Sequence, residues 1–383
     1  MAACGVRAPT MPAGGSAGPT VQAGYQGNLM AVRVVVIRSL SYTGTTWVNL
    51  LLSSHPRTLY LGPPERIWRL PREEADQACL KHRGACPLWK PFVSAWDRSG
   101  GFFRQLADAS DRDVLVLNNP SPELVEQELL GRNLDLRLVK IVRDGRANTT
   151  SAIRYHPERY NSFYHALNGW LRPGWERVGS YELPGCGTGR WWRYEDFVFE
   201  PAATLAAVGE YVGLTYPEHA VRFWEFEHHP VTGNTGMIDT LLRLQGKEGF
   251  DHVRRPFSDQ AVVRLMASPD RPVFDESWKA ILTREDRFVY DYVAGDLHRA
   301  YGYEPDTFTE AERRNFLERL GVPADPSQRP ETLRSPPEPP EAFQQRFQVG
   351  TKPPCAASAA PPVRIKRYLL GTWRKLASIL NRS

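Results

Sequence analysis

Cysteine is scarce in these 383 residues: there are five, odd in number and scattered, at Cys4, Cys79, Cys86, Cys186 and Cys355. That excludes a disulfide framework as the support of the fold and points to a reducing compartment. Long apolar runs are missing too, since no stretch approaches the roughly 18 consecutive apolar residues that a membrane span needs. Residues 1–30 are rich in Ala, Gly and Pro and lack the apolar segment of a secretory signal, so the expected location is cytoplasmic. No internal repeat is present. Net charge is also small, with 48 Lys and Arg against 43 Asp and Glu giving +5.

That small excess is not spread evenly. Residues 363–383 carry Arg364, Lys366, Arg367, Arg374, Lys375 and Arg382 and no acid, and the rest of the chain holds 42 basic against 43 acidic residues. A near-neutral body argues against nucleic acid as the main partner, because polyanion binding needs a basic face. On a helical wheel Ile365, Leu369, Trp373, Leu376 and Leu380 share one face of the tail. The tail therefore reads either as a basic amphipathic helix touching an anionic membrane, at the inner face, or as a helix docked on protein. Proline clusters just before it, with 11 of 32 prolines between 323 and 362. We expect residues 1–30 to be a disordered arm, 31–304 the folded body, 305–362 a Pro-rich linker and 363–383 the tail helix.

Inside the body, strand and helix patterns alternate. Val32–Ile37 and Leu136–Val142 are unbroken apolar, β-branched runs of the kind buried on both faces of a parallel sheet. Thr58–Leu61, Asp113–Leu117 and Arg190–Phe197 read as further strands. Helical spacing follows over Thr45–Ser53, Gly145–Arg154 and Pro201–Tyr211, and later over Glu218–Phe226 and Arg284–Tyr301, the last with a capping box from Thr283 to Asp286. This alternation predicts an α/β protein with three α/β/α layers around a central parallel sheet.

Open parallel sheets bind ligands beyond the carboxyl ends of their strands. The first strand runs into Arg38-Ser39-Leu40-Ser41-Tyr42-Thr43-Gly44-Thr45-Thr46-Trp47. A glycine turn opening a helix aims free N–H groups at an anion, and three threonine hydroxyls add donors. Compared with the nucleotide triphosphate loop, Thr45 stands where the essential Lys would be, which disfavours NTP hydrolysis. The fourth strand delivers Arg143, and Ser151 follows on the next helix. An Arg and a hydroxyl so placed suit a phosphate monoester, or else Arg143 pairs with Asp144 or Glu195 in a structural network.

Together these two elements resemble the sulfotransferases that use 3′-phosphoadenosine 5′-phosphosulfate (PAPS). The likeness lies in S-x-x-Gly-Thr-Thr-Trp, in V-R-D-G-R-x-x-x-x-S ending at Ser151, and in Arg193-Tyr194-Glu195-Asp196-Phe197. His229-Pro230-Val231-Thr232-Gly233-Asn234 and Asp275-Glu276-Ser277-Trp278 resemble the closing segment of a bacterial carbohydrate-type branch. The resemblance implies a P-loop-like fold and transfer of a sulfuryl group to a hydroxyl on a glycan, lipid or small molecule, with no metal required. It also implies that Thr43, Gly44, Thr45 and Thr46 hold the 5′-phosphosulfate and that Trp47 and Tyr194 border the adenine. Arg143 and Ser151 would take the 3′-phosphate.

One position departs from that family. Lys or Arg usually stands two residues before the motif glycine, and here the residue is Tyr42. A phenol donates one hydrogen bond but supplies no full positive charge near neutral pH. Either Tyr42 donates to the phosphosulfate while Arg38 or Arg146 supplies the charge, or the protein binds the nucleotide with weak or no catalysis. Glu65, soon after the second strand, is the candidate base for the acceptor hydroxyl; alternatively it is a surface carboxylate paired with Arg66 or Arg69.

Other clusters carry less. Cys79-x2-His82-x3-Cys86 offers three metal ligands at an uncommon spacing and reads as a structural thiol pair or incidental residues. Glu227-His228-His229 lacks the spacing that gathers ligands on one helix face and reads as non-metal. Asn118-Asn119 ends the third strand, either as an ordinary turn or against a ligand.

Overall fold

Five short apolar runs build the sheet in the computed structural model, which describes residues 31–348 apart from 78, 83, 85, 99–100, 131, 251–258, 268–275 and 334–337. They are β1 (Arg33–Ser39), β2 (Thr58–Gly62), β3 (Val114–Asn118), β4 (Asp135–Val142) and β5 (Arg190–Arg193). All pair in parallel in the order β2-β3-β1-β4-β5, so β1 is central. Val34 through Ile37 are essentially inaccessible to solvent because both faces of β1 are covered. Val34 and Val36 pack with helices Trp89–Ala95 and Phe102–Ser110 on one side. Val35 and Ile37 pack with helices Thr45–Leu52 and Pro201–Val212 on the other. The result is a three-layer α/β/α fold around a parallel sheet, as the alternation predicts. A third, mainly helical core forms around the helices Gly145–Tyr155 and Arg284–Ala300.

Two local expectations need correction. The fifth strand stops at Arg193 rather than Phe197, because Asp196 accepts from the Arg193 N–H at 3.2 Å and from its guanidinium at 2.6 Å. This caps a helix over Tyr194–Phe199 and turns Tyr194 out of the sheet. Glu218–Phe226 forms two short 3-10 turns, Glu218–Val221 and Phe223–Glu225, in place of one helix. The capping box at Thr283 and Asp286 is present.

The stretch 305–348 is not an extended linker. It carries helices Glu310–Leu320 and Pro340–Gln348. A capping box from Thr309 to Glu312 starts the first, and Phe316, Leu320 and Val322 are buried. The second begins at Pro340, a position that needs no N–H, and sinks Phe343 and Phe347 into the third core. Arg346 on the same helix pairs with Asp286 and Glu338. The prolines of 336–340 obscure Phe343 and Phe347, an apolar pair at helical i, i+4 spacing. The arm 1–30 and the tail 363–383 lie outside the described residues.

Candidate active site at the carboxyl ends of the sheet

The loop between β1 and its helix contains two left-handed residues, Tyr42 at φ 64 and Gly44 at φ 87. Only glycine fits at the second: a Cβ there would lie 2.4 Å from the Tyr194 ring. Gly44→Ala is therefore expected to dislodge Tyr194 and strain the loop, lowering the melting temperature as read by differential scanning fluorimetry. Helix Thr45–Leu52 starts directly after this glycine, so its first N–H groups open towards the loop.

The threonine hydroxyls are held in place rather than left to rotate. Asn148 Nδ2 donates to Thr43 Oγ1 at 3.1 Å and to the Ser41 carbonyl at 3.2 Å. The Asn234 N–H donates to Thr46 Oγ1 at 2.9 Å. Both hydroxyls thus act as acceptors. Thr45 Oγ1 shares a 2.6 Å hydrogen bond with Ser39 Oγ. Thr46 also ties the loop to the segment from His229 to Asn234, whose Thr232 carbonyl accepts from Tyr60 at the end of β2.

Arg143 leaves the end of β4 and is 8 % exposed. Its Nη1 donates to the Tyr42 carbonyl at 2.9 Å and faces Ser151 Oγ at 3.5 Å, and its guanidinium carbon lies 5.2 Å from the Tyr194 ring centroid. Among the described residues no carboxylate pairs with it. Asp144 turns instead to Arg146, and Glu195 accepts from the Asp144 N–H at 3.0 Å and from the Tyr303 hydroxyl at 2.6 Å. Burial raises the Glu195 carboxyl above its ordinary range, consistent with a structural acceptor. The structural-network alternative for Arg143 is therefore not what the geometry contains. Trp47 meets Tyr194 edge-on at 5.6 Å between centroids, so Gly44, Trp47, Arg143, Ser151 and Tyr194 form one group.

The residues expected near the reacting centre divide. Arg146 lies against Asp144 and Asp306, at 2.7 and 2.8 Å, and so its charge is already neutralised. Arg38 lies over Tyr181 at 4.1 Å with one long bond, 3.5 Å, to the Pro120 carbonyl. Burial lowers its pKa, and the nearby Glu65 opposes that shift. The Glu65 carboxylate accepts from the Ser121 N–H, while Arg69 pairs with Glu123 and Arg66 donates to the Val231 carbonyl. Arg38 and Glu65 are thus together at the ends of β1 and β2. The Tyr42 ring stacks on Tyr155 at 5.5 Å and meets Trp170 edge-on at 6.0 Å. Burial raises its pKa, which keeps the phenol protonated near neutral pH. Asn119 is a clamp, bonding both backbone groups of Ser39 at 3.1 Å.

One grouping was missed. His229 joins Cys79, His82 and Cys86, with the four donor atoms within 4.8 Å of one another. Sequence spacing gives only three of these, because His229 lies 143 residues beyond Cys86. The short motif Glu227-His228-His229 is the one local signal, and it lies in an irregular segment where helical ligand spacing does not apply.

No family model matches the chain, and no curated protein does. Among solved structures it is similar to the sulfotransferase domain of the Synechococcus PCC 7002 olefin synthase. That match has 15% identity and a TM-score of 0.39, over 66% of this chain and all 100% of that one. The sulfotransferase domain of the curacin biosynthetic pathway matches at 13% identity and TM-score 0.35, over 62% of this chain and 96% of that one. A mouse sulfotransferase crystallised with PAP matches at 11% identity and TM-score 0.36, over 76% and 90%. These are distant likenesses. No helix among the described residues is long and apolar enough to cross a membrane.

Proposed function

We propose that the protein is a sulfotransferase that takes its sulfuryl group from PAPS and passes it to a hydroxyl acceptor, releasing adenosine 3′,5′-bisphosphate. The observation that carries this reading is Arg143: a buried guanidinium with no carboxylate partner among the described residues, next to Ser151 Oγ and under Tyr194. A buried cation without an anion is costly, and a phosphate monoester supplies the missing charge with paired acceptors. The Gly44 loop and the start of its helix, with the Thr43 and Thr46 hydroxyls fixed beside it, suit the second anionic group of such a donor. Trp47 and Tyr194 offer aromatic surface for the purine.

In the transfer step the acceptor oxygen attacks sulfur, the bond from sulfur to the bridging oxygen breaks, and the bisphosphate leaves. Glu65 takes the acceptor proton. Charge on the leaving oxygen is met by N–H groups of the loop, by the Tyr42 phenol and by Arg38, since Arg146 is held by two carboxylates. A Glu65→Gln variant should bind bisphosphate normally and transfer label from the donor about 10²–10⁴-fold more slowly, the range for loss of a general base. Tyr42→Phe and Arg38→Ala should each slow transfer; unchanged turnover in both would remove this division of roles.

A second reading rests on Tyr42 itself, whose ring is fixed among Tyr155 and Trp170. On that reading the protein binds the nucleotide without transfer. Both readings predict stronger thermal stabilisation by the bisphosphate than by adenosine 5′-monophosphate. Only the first predicts movement of labelled sulfate, screened over glycans, lipids and small phenols. No stabilisation by the bisphosphate would overturn both.

A further inference from the structure

We propose that Cys79, His82, Cys86 and His229 bind one structural zinc ion, at a place distinct from the group around Gly44 and Arg143. The argument begins with the donor set. Two thiolates and two neutral imidazoles form an S2N2 set of the kind that selects zinc, and their charge cancels that of a divalent cation. Charge neutrality matters because both sulfurs are buried, Cys79 at 2% and Cys86 at 3% exposure.

Geometry comes within about 1 Å of what the ion needs. Tetrahedral bonds of about 2.0–2.3 Å place neighbouring donors roughly 3.3–3.8 Å apart. Cys79 Sγ stands 3.2 Å from His82 Nδ1, and Cys86 Sγ stands 3.3 Å from His229 Nδ1. Both imidazoles turn Nδ1 inward and Nε2 outward to one carboxylate. His82 Nε2 is 3.0 Å from Glu227, and His229 Nε2 is 3.9 Å from it. A metal-bound histidine normally gives its other N–H to such a carboxylate, which fixes the tautomer. Lys81, its ammonium fully buried, holds Glu227 at 2.7 Å.

The Cys86 sulfur has its own support. The Trp89 N–H points to Cys86 Sγ at 3.4 Å. Backbone donors of this kind stabilise thiolates rather than thiols. Four protein ligands leave no open position, so the role is to fasten and not to catalyse.

What the ion fastens is the segment that closes on the first loop. The Leu80 N–H donates to the Pro230 carbonyl at 2.8 Å, and Trp89 Nε1 donates to the His229 carbonyl at 2.8 Å. Four residues beyond Pro230, Asn234 holds Thr46. The ion would cross-link two stretches far apart in sequence and so remove loop entropy from the unfolded chain.

The test uses the full chain purified without chelator. Elemental analysis should find one zinc per chain. Cobalt substitution should give the intense visible bands of a tetrahedral site and a thiolate charge-transfer band in the near ultraviolet. His229→Ala and Cys86→Ser should lose the metal, and Cys186→Ser should keep it. Because ligand variants can misfold, Glu227→Gln provides a second reading. It should stay folded by circular dichroism and bind zinc about 10–100-fold more weakly, the cost typical of losing an outer-shell partner. Protein free of zinc that takes up no cobalt, with Cys79 and Cys86 titrating as free thiols or joined as a disulfide, would overturn the proposal. None of these readouts depends on sulfate transfer.

Discussion

Replacing Arg143 with Ala should abolish most of the affinity for adenosine 3′,5′-bisphosphate, raising the dissociation constant by at least about 30-fold, since a buried charge-assisted contact is worth about 2–5 kcal/mol. The reasoning rests on what surrounds the side chain. Its Nη1 spans the Tyr42 carbonyl and Ser151, its Nε is buried without a partner, and the Tyr194 ring covers it. Lysine would restore charge but not the planar fork, so Arg143→Lys should recover only part of the loss. Affinity for adenosine 5′-monophosphate should change far less, because the Arg is assigned to the 3′-phosphate. Titration calorimetry on both nucleotides checks this. Equal losses for the two would place Arg143 elsewhere in the site.

Phe347→Ala should cost the fold about 3–5 kcal/mol, the usual penalty for emptying a buried phenylalanine position. Phe347 is fully buried, stacks on Phe163 with centroids 6.2 Å apart and contacts Phe343 at 4.9 Å. The helix that carries it lies across the end of Gly145–Tyr155, with Gln344 donating to the Pro157 carbonyl at 3.2 Å. A chain truncated before Pro340 should lose at least as much. Urea unfolding of the full chain and both variants measures it. A change within about 0.5 kcal/mol, the range of surface substitutions, would mean that the helix is dispensable.

These two expectations mark what could and could not be read from the chain. β1 was legible because Val34 to Ile37 have no polar interruption, and the loop after it because Gly44 follows a strand and precedes a helix. Arg143 and Ser151 were legible as a pair because one strand and one helix bring them together over a short span. Phe343 and Phe347 were not, because the prolines around them outweighed a single helical spacing. His229 could not be joined to its partners for a different reason: they are far away in sequence, and the packing of Trp89 and Pro230 brings them close. The Arg146 charge was overvalued because Asp306 lies 160 residues away from it.

The bond between Asn234 and Thr46 has a consequence for substrate order. One segment touches both the loop assigned to the donor and, through Thr232 and Tyr60, the end of β2 that leads to Glu65. A ligand that steadies this segment from one side reduces the ordering entropy left for a ligand on the other. Binding of donor product and acceptor should then be cooperative. Thermodynamic reciprocity requires that each raise the other's affinity by the same factor.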